Sequence, residues 1–69
     1  MNRSELEALQ ASGEERTFTA RWERLGEPYS EGCRGTVERV GFPNAPHTVW
    51  VRDIAGNRHS WDMRHLSVH

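Results

Sequence analysis

The apolar residues of this chain change period partway along it. In residues 4–12, "SELEALQAS", Leu6 and Leu9 fall three apart on an otherwise mostly polar segment. That spacing predicts a short helix with one narrow apolar stripe. Ser4, with Glu7 three residues on, has the form of a capping box, and Gly13 is a natural stop. So short a helix is unstable alone and has to dock on something. From Arg16 the period drops to two. Phe18, Ala20 and Trp22 alternate with Thr17, Thr19, Arg21 and Glu23, which predicts a half-buried strand over 16–25. Residues 26–35, "GEPYSEGCRG", hold three glycines and a proline and keep no period. They read as a long irregular loop, and a loop of that length in a small domain is functional or packed on itself.

Alternation returns in "TVERVG", 36–41, with Val37 inward and Glu38 outward. Val40 breaks it, which predicts a bulge or strand end near Arg39. "FPNAPH", 42–47, is a turn with two prolines. "TVWVRD", 48–53, is the strongest strand, with Val49 and Val51 on one face and Thr48, Trp50 and Arg52 on the other. "IAGN" is a tight hairpin connection and "RHSW" a returning strand. "DMRHL" has room for one helical turn, and "SVH" is a final short strand. The expected fold class is all-β: a barrel of about five strands over residues 16–69, preceded by a helix and linker over 1–15.

This order of elements resembles the SH3-like small barrel. "GCRGTVERV" followed by "HTVWV" is similar to the KOW motif of transcription and ribosomal proteins. The layout looks still more like small SH3-like proteins of unknown function from phages and actinobacteria. Those carry a G-T-V strand and then a V-x-V/W-D-x-x-G hairpin, matched here by Gly35, Thr36, Val37, Val51, Asp53 and Gly56. The resemblance implies a phage or mobile-element accessory protein. Small SH3-like barrels also include the dihydrofolate reductases of the trimethoprim-resistance type, which tetramerise around one pore. Their V-Q-I-Y stretch has "RHSWD" in its place here, so that chemistry does not carry over, although homodimer formation stays open.

Charge narrows the choice of partner. The 69 residues carry nine arginines, no lysine and ten acids, for a net charge of -1. A domain that grips DNA through its phosphates usually has a clear basic excess. The lone cysteine, Cys33, excludes an internal disulfide and suits a reducing compartment. No run approaches a membrane span, and "MNRSELEALQ" lacks the apolar core of a secretory signal, so a cytoplasmic location is the default.

Few residues invite chemistry. Cys33 has Arg34 beside it to lower its pKa, but no motif supplies a base or an oxyanion pocket. His59, His65 and His69 lack the spacing of a zinc site, and neither metal nor cofactor is expected. Trp22 and Trp61 read as core. Trp50 has the outward phase if Val49 and Val51 are core. Two readings follow: the helix stripe Leu6 and Leu9 covers it, or it is a bare platform with Arg52, Thr48 and Arg58 around it. Tyr29 and Arg34, in the 26–35 segment, complete the candidate partner-binding set of Trp50, Arg52, Arg58, Tyr29 and Arg34. The leading expectation is a non-enzymatic protein–protein interaction module. The alternative is a nucleic-acid-binding accessory domain using Arg21, Arg34, Arg39, Arg52, Arg58 and Arg64, and an oligomeric enzyme ranks last.

Overall fold

The computed structural model describes residues 1–69 and is all-β apart from one helix and a single 3-10 turn. Helix α1 spans Arg3–Ser12, followed by β1 (Arg16–Arg24), β2 (Glu27–Phe42), β3 (Ala45–Asp53), β4 (Arg58–Asp62), the turn Met63–His65, and β5 (Leu66–Val68). All strand pairs are antiparallel, in the spatial order β4-β3-β2-β1-β5. β4 and β5 are free edges, so the sheet is not closed as a barrel would require.

The stretch expected to be a loop is strand. β1 and β2 form one continuous hairpin with nine opposed pairs, from Arg16 opposite Gly35 to Arg24 opposite Glu27. Its two-residue turn is Leu25–Gly26, with φ of 53° and 80°. The strong alternation of β1 supplies a template that the irregular composition of 27–35 does not advertise. Pro28 is tolerated because this end of β2 pairs with β1 alone, leaving its other side an edge. Leu25 occupies a turn position normally given to Asn, Asp or Gly, and its side chain is 95% exposed.

Gly35, the second glycine of "GCRGTVERV", sits at a joint in the sheet. Here β2 changes partner: Gly35 lies opposite Arg16 of β1 and also opposite Asp53 of β3. A β-carbon at Gly35 would overlap the Arg52 carbonyl oxygen and lie 2.7 Å from Asp53 Cα. The position is strand interior. Beyond it, register shifts fall between Val37 and Arg39 and between Val40 and Phe42, where the broken alternation placed a bulge.

The core is one cluster of eleven buried residues, centred on Phe18, Leu6, Val49 and Val51. Leu6 and Leu9 join this cluster, so α1 docks on the inner face of the sheet. Burial stabilises such side chains by roughly 1.5–3 kcal/mol apiece, which a ten-residue helix requires to persist. Gln10 Nε2 adds a 2.9 Å bond to the Glu38 carbonyl. The N-cap is Asn2, two residues earlier than expected: its side chain accepts from the Glu5 N–H at 2.8 Å. Glu7 pairs with Arg3 instead of closing a box on Ser4. Trp61 is buried as expected, whereas Trp22 is only half-buried at the core margin.

Replacing Gly35 by alanine is expected to cost at least about 2 kcal/mol, the scale of overpacking against an unyielding backbone. Urea unfolding of Gly35→Ala against wild type measures this. An unchanged midpoint would show that β2 does not pass this close to β3.

A candidate aromatic–arginine interface

The outer face of β2 and β3 gathers one group of side chains. Trp50 faces away from the core, because its neighbours Val49 and Val51 are fully buried. The helix lies on the other side, so it does not cover Trp50. Phe42, at the end of β2, meets the Trp50 ring edge-to-face at 6.4 Å between centroids. Arg39, opposite Trp50 in the ladder, places its guanidinium 4.4 Å from the Phe42 ring centroid. Arg52 and Arg58 are cross-strand partners. Both reach Glu38, at 3.2 and 3.0 Å respectively. Glu38, Arg39, Phe42, Trp50 and Arg58 line an open depression of about 360 Å³.

Glu38 stands there because of the bulge: both it and Arg39 fall between the buried Val37 and Val40. Partial desolvation pushes its carboxyl up, but hydrogen bonds and charge from Arg58 and Arg52 outweigh that and hold it below the ordinary range. These pairs are exposed and contribute little to stability. What they do is hold two guanidinium groups beside the aromatic pair.

Three of the five expected interface residues, Trp50, Arg52 and Arg58, thus share this face. Arg34 and Tyr29 do not join them. Arg34 is held by Glu15 at 2.7 Å and Thr17 at 3.2 Å. Tyr29 lies near the tip of the β1–β2 hairpin, stacked on Trp22 at 6.1 Å. Two members escaped the sequence reading. Phe42 reads from sequence as a turn residue, and Glu38 only as an outward strand residue. The bulge signal at Val40 was the one clue to Glu38.

The other chemical candidates fall differently. Burial, with Asp53 nearby, pushes the Cys33 thiol above its usual pKa, opposite to the expected effect of Arg34. Neighbouring strand residues point to opposite faces, and Arg34 is occupied elsewhere. His59 Nε2 lies 2.8 Å from Asp53 Oδ2, and its ring stacks on Trp61 at 5.3 Å. Asp53 also accepts from the Ala55 and Asn57 N–H groups, both at 2.9 Å, closing the β3–β4 turn. The His59 bond, followed by these two, holds its carboxyl low against some desolvation. No group of three His, Cys, Asp or Glu side chains is placed to hold a metal ion. No helix is long and apolar enough to cross a membrane.

Compared with models of known families, with characterised proteins and with solved structures, the chain matches none.

Asp62 caps the 3-10 turn and bonds Arg64 through both side chain and backbone, which lowers its pKa from 3.8 to about 2. A depressed acid contributes stability that is full above its unfolded pKa and lost as pH falls through the folded one. Stability should therefore decline between about pH 4 and pH 2, with Asp53 and Glu38 adding to the slope. Asp62→Asn keeps a cap acceptor and should flatten this decline when urea midpoints are compared across that range. An unaltered slope would mean the Asp62–Arg64 pair does not form.

Proposed function

We propose that this protein is a small non-enzymatic binding module, of SH3-like architecture, that takes a protein partner on the Trp50 face. One observation carries the reading: a Trp–Phe pair sits on the solvent side of the sheet, flanked by Arg39, Arg52 and Arg58, with the helix on the opposite side. Interfaces are enriched in aromatic residues and arginine, and hot spots concentrate in such anchors. The SH3-like reading draws support from the strand order and from the 3-10 turn that returns the chain from β4 to pair β5 with β1. Binding is favoured over catalysis on this face because its one acid, Glu38, is engaged by Arg52 and Arg58.

A nucleic-acid partner is the second reading, favoured by the gathering of three arginines around an edge-to-face Trp–Phe pair. Three of the six candidate arginines lie elsewhere: Arg34 and Arg64 are paired with Glu15 and Asp62, and Arg21 is on the β1–β2 hairpin opposite Ser30. Glu38 offsets part of the charge that remains. The balance favours protein.

Trp50→Ala should keep the far-ultraviolet spectrum and lose at least about 2 kcal/mol of partner affinity, the threshold of a hot-spot residue. Affinity capture from the native host, wild type beside variant, measures this. Retention of the same partners by a folded Trp50→Ala protein would remove the assignment. Binding of a DNA or RNA oligonucleotide, with steep loss on adding salt, would favour the second reading.

A further inference from the structure

We propose that the cleft between the β1–β2 hairpin and β4 is a second binding site, for the guanidinium of an arginine carried by a partner chain. The cleft holds about 400 Å³. Trp22 and Trp61 line it together with Ala20, and Glu31, Asp62 and His65 stand at it. Two of these side chains are fixed in place. Tyr29 stacks nearly parallel on Trp22, with 15° between the rings. Trp61 Nε1 donates to Glu31 Oε2 at 2.8 Å, tying the hairpin to β4 across the opening.

The charge balance selects the ligand. Asp62 is already neutralised by Arg64, 2.6 Å away. Glu31 has no ion pair: its one side-chain partner is the neutral indole N–H, which leaves Oε1 free. The cleft therefore presents a carboxylate without an ion pair, oriented by the Trp61 N–H and sharing the opening with the half-buried Trp22. A cation is complementary to this arrangement, through charge-assisted hydrogen bonds to Glu31 Oε1 and through the exposed part of the half-buried Trp22 ring, while Trp61, buried and stacked by His59, contributes the N–H that orients the carboxylate. A planar guanidinium suits this site better than an ammonium, because it stacks on aromatic surfaces and presents a fork to a carboxylate.

This site is independent of the Trp50 face. Trp61 lies opposite the buried Val49 in the ladder, and Trp50 opposite Ser60, so the two indoles leave opposite faces of the sheet.

The three indole N–H groups provide the test, by ¹H–¹⁵N NMR on the whole protein. The probe is a blocked Gly-Arg-Gly peptide, compared with the same peptide carrying neutral citrulline. The arginine peptide should shift the Trp22 and Trp61 signals saturably and leave Trp50 in place, and the citrulline peptide should bind at least about tenfold more weakly. Glu31→Gln keeps an acceptor for the Trp61 indole and removes the charge, so it should weaken binding by a similar factor. Three results would overturn the proposal: no movement of Trp22 and Trp61, equal binding of the citrulline peptide, or a response confined to Trp50. The peptide comparison is made on the wild-type protein, so it stands even if the Gln variant folds poorly.

Discussion

Gly35 is where β2 exchanges one partner strand for another, lying opposite Arg16 and Asp53 at once. The sixteen residues of β2 serve two hairpins in succession, and the crossing leaves no room for a β-carbon. Asp53, directly opposite, gathers the Ala55, Asn57 and His59 bonds that close the next turn. The Ile54 N–H donates to the Arg34 carbonyl at 3.1 Å, fastening that turn to the same point. The glycine and the aspartate that carried the SH3-like resemblance are thus one structural joint. Both faces of the sheet take their position from it. Residues before the joint build the hairpin with Trp22, Tyr29 and Glu31, and residues after it build the bulged strand with Glu38, Arg39 and Phe42.

The division between core and surface is clean. Eleven apolar side chains form one cluster, and no buried side-chain nitrogen or oxygen lacks a partner. Apolar burial is the large favourable term here, with ladder hydrogen bonds satisfying the backbone. The polar constellations lie outside it, where ion pairs are worth at most about 1 kcal/mol each. The charged side chains of the aromatic–arginine face and of the acidic cleft can therefore be altered without dismantling the fold, although Ala20 and Trp61, which line the cleft, belong to the core. The two sites are opposite in character: one is flanked by three arginines, the other centres on an unpaired carboxylate.

Much of this arrangement was legible in the sequence because period and turn chemistry agreed. The switch from Leu6–Leu9 spacing to Phe18–Ala20–Trp22 alternation separated helix from strand. Val49 and Val51 fixed the outward phase of Trp50. The broken alternation at Val40 marked the bulge. Residues 26–35 misled because strand identity there comes from pairing with β1, a tertiary effect that glycine and proline content obscures. Closure of the sheet into a barrel was likewise a matter of how far the strands coil, which no local pattern records. The Glu31–Trp61 bond joins residues thirty apart in sequence, and no spacing announces it.

Most of the structure depends on β2 running unbroken through Gly35. Interstrand nuclear Overhauser contacts test it most directly. Gly35 should show backbone contacts to both Arg16 and Asp53 in one sample, with slowly exchanging amides along the ladder from residue 29 to residue 37. Contacts to one strand only, with rapid exchange over 26–34, would mean that this segment is a loop and that the hairpin carrying Trp22, Tyr29 and Glu31 does not exist as described.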